Sequence, residues 1–136
     1  MPIEHINPAS LPRKAAFTHV ISVSSDMRTV YVGGQNALHA TRGLIGPGDV
    51  RAQAEQAAHN LKLALEAGGA TMADLVKCTV YLVAGQAPRA ALEGWQRVWG
   101  GQSNPPCVTV LQVPGLANPD FLIEIDAIAA VAGART

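Results

Sequence analysis

A chain of 136 residues with 49% hydrophobic side chains suits a single domain with a real core, so residues 1–136 are expected to fold as one unit. Ten basic and ten acidic residues cancel to zero net charge, which excludes the basic footprint of a nucleic-acid binder. Only 15% of residues are charged, below the roughly 25% of ordinary soluble domains, and so sparse a charge cover implies that part of the surface is buried against copies of the same chain.

No apolar run approaches the roughly 20 residues that span a bilayer. The start, Met1-Pro2-Ile3-Glu4-His5, has no charged region followed by an apolar stretch. The expectation is a soluble cytoplasmic protein with no membrane partner. Cys78 and Cys107 are the only cysteines, and both sit in apolar, strand-like runs that read as packing thiols rather than a disulfide. They cannot complete a four-ligand zinc site, and His5, His19, His39 and His59 show no ligand spacing, so neither metal nor cofactor is expected.

In chain order, the first strand is predicted at His19–Ser24 and the second at Arg28–Gly33, joined by Ser25-Asp26 as a hairpin. Gly43–Gly48 (GLIGPG) reads as a loop, since its glycines and proline disfavour regular structure. Asp49 is placed to cap a helix, because its carboxylate can accept the free amides of the first turn. Val50, Ala54, Ala57, Leu61, Ala64 and Leu65 recur at helical spacing, with Gln53, Gln56, Asn60 and Lys62 assigned to the other face and Gly68-Gly69 as the stop. Leu75–Val83 is a third strand with Val76, Cys78, Val80 and Leu82 on one side. Pro88 opens a second helix presenting Ala91, Leu92, Trp95, Val98 and Trp99, ended by Gly100-Gly101. Pro106–Val113 and Phe121–Val131 are the fourth and fifth strands.

The predicted order is β-β-α-β-α-β-β, an α+β fold with both helices on one face of a sheet. Leu122, Ile128, Val108 and Val110 are assigned to the other face, which must then be covered, most simply by another copy in a closed ring.

Few residues suggest chemistry. Gly33-Gly34-Gln35 reads either as a bulge or as a place where bare backbone amides meet an anionic group. Glu124 and Asp126 alternate on the last strand and share a face. They are either the solvated side of an edge strand or carboxylates lining an interfacial pocket, where desolvation would raise a pKa and fit it for proton transfer. His19 and His39 read as ordinary hydrogen-bonding residues, and the Trp95/Trp99 pair as core. There is no P-loop, no GxSxG and no Ser-His-Asp signature.

Taken together, Phe17-Thr18-His19, Val30–Gln35 (VYVGGQ), Asp49–Gly69 with Gln53, Asn60 and Leu61, Leu75–Leu82 and Ile123–Ala129 (IEIDAIA) resemble the YjgF/Rid family, also called endoribonuclease L-PSP-like, over about Phe17 to Val131. The resemblance implies a chorismate-mutase-like, barrel-forming homotrimer with small-molecule clefts between subunits. Active members hydrolyse imines or enamines derived from amino acids. An arginine in a Pro-Ala-Arg-Ser/Thr strand grips the substrate carboxylate, and a water near the last strand's glutamate attacks the imine carbon. Here the matching stretch is Pro106-Cys107-Val108-Thr109, with Val108 in place of the arginine, and Phe17 stands where tyrosine is frequent. Gly34 and Glu124 match the family.

The resemblance therefore implies Glu124 as the proton-transfer residue or water orienter. Phe17, Gly34, Val108 and Thr109 would contact substrate, and the pocket is more apolar than usual. Cys107 alternates with Val108 and is expected in the core. Arg13 or Arg42 is the available replacement cation. The leading reading is an imine or enamine deaminase of altered specificity, the second a non-catalytic small-metabolite binding or regulatory trimer. A ribonuclease is disfavoured by the zero net charge.

Overall fold

Period-two runs rich in β-branched residues and two runs of helical spacing set the architecture. In the computed structural model, which describes residues 2–132, the elements in chain order are β1 (Ile3–Ile6), β2 (Val20–Val23), β3 (Met27–Gln35), β4 (Leu38–His39), β5 (Gly43–Leu44), α1 (Val50–Ala67), a 3-10 turn (Met72–Asp74), β6 (Leu75–Val83), α2 (Pro88–Trp99), β7 (Cys107–Val113) and β8 (Ile123–Ala132). The main sheet has the order β3-β8-β6-β7. β8 runs antiparallel to both neighbours, whereas β6 and β7 are parallel. That parallel pair needs a long crossover, and α2 supplies it. Among the described residues no helix is long and apolar enough to cross a membrane.

Both helices cover one face of this sheet. Ile123, Ile125, Ala127 and Ala129 of β8 are buried, while Glu124, Asp126 and Ile128 between them are only half-buried. Leu61 and Leu65 of α1 meet Leu75, Cys78, Leu82, Ile123 and Ile125 in the core.

The helix ends are made as the residue types require. Asp49 accepts the amide of Ala52 at 3.1 Å. At the other end Gly68 returns its amide to Ala64, and Arg28 of β3 donates to the Gly68 carbonyl at 2.8 Å, satisfying a group the helix leaves open. α2 begins with Pro88 at its first turn and stops at Gly100, which is left-handed at φ 72°.

The helices touch most closely at Gly94. A Cβ there would lie 2.3 Å from the Arg51 carbonyl oxygen and 2.9 Å from the Ala54 Cβ. Two exposed ion pairs, Arg51–Glu93 and Arg97–Glu55, flank this contact. Gly94→Ala is expected to destabilise the fold by about 1–3 kcal/mol, the usual range for overpacking. Urea unfolding measures it, and an unchanged midpoint would mean the helices separate freely.

Several expectations are corrected. β2 and β3 do not form a hairpin. β2 pairs with β1, a strand not foreseen in Ile3–Ile6, and β3 pairs with β8. Ser25, at φ 65°, turns the chain out between them. The ten-residue β8 offers nine-residue β3 a far longer ladder than the four residues of β2 could. The glycine loop is less irregular than expected, since Gly43–Leu44 pairs with Leu38–His39.

Gln53 is buried in the core and not on the polar face of α1. Its amide nitrogen donates to the carbonyls of Gly46 and Asp120, each at 3.1 Å, and its oxygen accepts from the Leu122 amide at 2.9 Å. One side chain thus joins the glycine loop to the approach to β8. Finally, Val108 and Val110 do not belong to the helix-free face. Val108 packs against the core, and Val110 shares its phase on β7. Of the four assigned there, Ile128 holds that position, beside the exposed Tyr31, and Leu122 keeps the phase of Glu124.

Candidate functional site

The expected site residues fall into two groups on opposite faces of the sheet. The first lies on the helix side. Cys78, Val80 and Leu82 of β6, Val108 and Val110 of β7, and Ile123 and Ile125 of β8 point at α2 without being fully covered by it. A cavity of about 300 Å³ remains between them and Pro88, Ala91, Leu92 and Trp95, with Ala16 and Phe17 beside it. None of these lining side chains is charged. Phe17 is brought there because the amide of Thr18 donates to the Pro106 carbonyl at 3.0 Å, and the Thr18 hydroxyl donates to Pro105. The segment before β2 is thereby tied to the start of β7, so Phe17 and Val108 share one cavity. Neither Arg13 nor Arg42 is among the side chains lining it, and both are exposed.

Cys78 forms part of the cavity floor. Burial, with smaller help from the charge of Asp126, pushes its thiol up to about 12 from an ordinary value near 9. The folded state therefore holds this proton more tightly than the unfolded chain does. That contribution to stability is complete below about pH 9 and is lost as pH rises toward 12. Cys78 is expected to resist an aqueous disulfide reagent at pH 8 until the protein is unfolded. Prompt stoichiometric labelling of Cys78 in the native protein would contradict this.

The second group occupies the helix-free face. Gly33-Gly34 forms a bulge, since Val32 and Gln35 of β3 face Ala127 and Ile125 of β8 with one extra residue between. Neither glycine has a positive φ. The need for glycine is steric: a Cβ on Gly34 would lie 2.3 Å from Oε2 of Glu124. Gly34 therefore makes room for the carboxylate that the sequence singled out.

Across β6, Tyr81 stands opposite Glu124, and its hydroxyl donates to Oδ2 of Asp126 at 2.9 Å. That hydrogen bond, then burial, then the charges of Asp126 and Glu124 hold the phenol above its usual pKa. Glu124 and Asp126 do share a face, and it is half-buried rather than freely solvated.

Thr109 lies on this face and not in the cavity, because it accepts a hydrogen bond from Nζ of Lys77. Cys107 is opposite to Val108, as alternation requires, but outside the core. It is half-buried, with its thiol directed at the His19 carbonyl at 3.6 Å. The core lies on the face that Val108 takes. His19 and His39 serve local hydrogen bonds, to Pro12 and from the amides of Thr41 and Arg42.

Lys77 and Tyr81 were not anticipated at the site. The signal was available in the polar Lys77, Thr79 and Tyr81 at every second position of an otherwise apolar strand. Trp95 was assigned to the core, and it also lines the cavity. Among the described residues no three His, Cys, Asp or Glu side chains are grouped to hold a metal ion.

The chain is similar to proteins of one family. The sequence model of the family described as Endoribonuclease L-PSP matches residues 9–131. A RutC family protein of Pyrococcus horikoshii is 36% identical over 100 residues, covering 74% of this chain and 77% of that one. A protein of Rattus norvegicus named 2-iminobutanoate/2-iminopropanoate deaminase is 42% identical over 55 residues, 40% of each chain. Among solved structures, the Rid-family protein YyfB of Yersinia pestis superposes with a TM-score of 0.85 at 33% identity, covering 96% of this chain and all of that one.

Proposed function

Because the chain belongs to the endoribonuclease L-PSP (YjgF/Rid) family, we propose that it is a small-molecule hydrolase of C=N bonds whose substrate carries no carboxylate where Val108 stands. The observation that carries this reading is the uncharged, predominantly apolar cavity shared by Val108 and Phe17. The compounds in the rat relative's name, 2-iminobutanoate and 2-iminopropanoate, each carry a carboxylate. A carboxylate placed against Val108 would lose its water and gain no partner, at a cost of several kcal/mol.

The separation of the two groups has a topological answer. Gly34 belongs to β3 and Val108 to β7, the two edge strands of the sheet. A ring of copies joined edge to edge, the homotrimer implied by the family, sets one copy's β3 edge beside the next copy's β7 edge. At such a seam Glu124, one strand in from β3, shares the helix-free face with the next copy's Thr109, and the Val108 cavity lies beneath the same β7. In that cleft Glu124 orients the attacking water and takes its proton. The imine and water become a carbonyl compound and ammonia.

The test is ammonia release from imines generated in situ, neutral ones against 2-imino acids. Neutral substrates are expected to be turned over at least about tenfold faster, and Glu124→Ala to abolish the reaction, general acid–base groups contributing about a hundredfold or more. Equal rates on both classes would sink the assignment.

A second reading is binding without turnover. It is favoured by one observation: within a single chain Glu124 points away from the cavity. Ligand binding that survives Glu124→Ala, with no ammonia from any substrate, selects it.

A further inference from the structure

We infer that the cavity takes an uncharged aromatic ring, and that Trp95 is the residue that selects for it. The inference rests on the proposed reading of the cavity as the ligand site and narrows its ligand class. Two of the lining side chains are aromatic, Phe17 from the segment before β2 and Trp95 from α2, and the rest are aliphatic apart from the Cys78 thiol.

Both rings are held from outside the cavity. Trp95 stacks on Trp99 with centroids 6.0 Å apart and planes 15° from parallel. Trp99 is itself fixed, 7% exposed, with its indole N–H donating to the Gln102 carbonyl at 2.9 Å. Phe17 meets His19 edge to face at 5.1 Å, and the His19 amide is bound to Oδ1 of Asn7 at 2.9 Å. Each ring thus has an aromatic partner outside the cavity. Side chains in protein interiors normally close such spaces, so one kept open by braced rings is a preorganised pocket.

The volume, about 300 Å³, is at the small end for ligand sites and too small for a peptide helix with a diameter of about 10 Å. Ring-to-ring contacts in offset or edge-on geometry favour an aromatic guest over an aliphatic one of the same size. The absence of charge along the lining excludes an anionic one.

The experiment is calorimetric titration of the intact protein with toluene, methylcyclohexane and benzoate, repeated on Trp95→Leu and Ala91→Leu. Toluene is expected to bind about fivefold more tightly than methylcyclohexane, and more tightly than benzoate by at least about tenfold. Trp95→Leu should erase the preference for toluene over methylcyclohexane. Ala91→Leu, which fills the cavity from α2, should abolish binding while leaving the melting temperature unchanged or higher. A wild-type protein that binds methylcyclohexane as well as toluene overturns the aromatic inference and leaves the uncharged-ligand reading standing. Benzoate binding equal to toluene overturns that reading itself. No binding by any of the three, or binding that persists in Ala91→Leu, removes the cavity as the site and both claims with it.

Discussion

Val108→Arg is expected to raise kcat/KM toward 2-imino acids roughly ten- to a hundredfold, mainly through KM. Val108 lines an uncharged cavity whose rim is open at Val110, 56% exposed, and Leu92, 41% exposed. A guanidinium entering there can lay its stem along the apolar wall and carry its charge to that rim. A charge-assisted hydrogen bond to a carboxylate is worth about 1.5–3 kcal/mol, which sets the size of the gain. Val108→Met is the control, since it lengthens the side chain without adding charge. The measurement is steady-state ammonia release at matched ionic strength. If the arginine and methionine variants behave alike on carboxylate substrates, the cavity is not where those carboxylates would bind.

Gln53→Leu should cost about 3 kcal/mol or more of folding stability. The leucine keeps the volume and removes three hydrogen bonds, leaving the carbonyl of Asp120 and the amide of Leu122 without their partner, while the Gly46 carbonyl keeps the Asp49 amide. Each buried group left unsatisfied costs about 1–3 kcal/mol, and the two share one side chain, so the losses do not simply add. Because Gln53 tethers the residues just before β8, the variant should also loosen the end of the sheet that carries Ile123 and Glu124. Guanidinium unfolding gives the first quantity, and amide exchange at Leu122 the second. A loss under about 1 kcal/mol would show that water or neighbouring groups replace the glutamine.

These two residues mark the limits of what could be read without coordinates. The order of motifs alone sets Val108 where the resemblance implies an arginine, and in the structure it lines a cavity with Phe17. Its face was nevertheless assigned wrongly. Gln53 was given to the solvent side because glutamine is mostly exposed. Nothing local announces that two distant loops will present their backbone groups to it. Thr109 is expected beside Val108 at the substrate on the strength of the family motif, although adjacent strand residues must point to opposite sides. Gly34 and Glu124 were named separately from family motifs, and their steric dependence emerges only when β3 lies beside β8.

The chain alone determined its local elements: both helices with their Asp49 and Pro88 starts and glycine stops, the extent of β6, and the alternation that keeps Glu124 with Asp126 and Val108 apart from Cys107. These follow from backbone preferences and from periodicity, which act over a few residues. Tertiary structure alone decided that β3 pairs with β8, that Val108 faces α2, and that Gln53 is buried. It also decided that Val108 and Glu124 occupy opposite faces of one sheet. The reason is that periodicity sets the phase of side chains relative to one another, whereas the face that is buried is chosen by whichever distant element packs there.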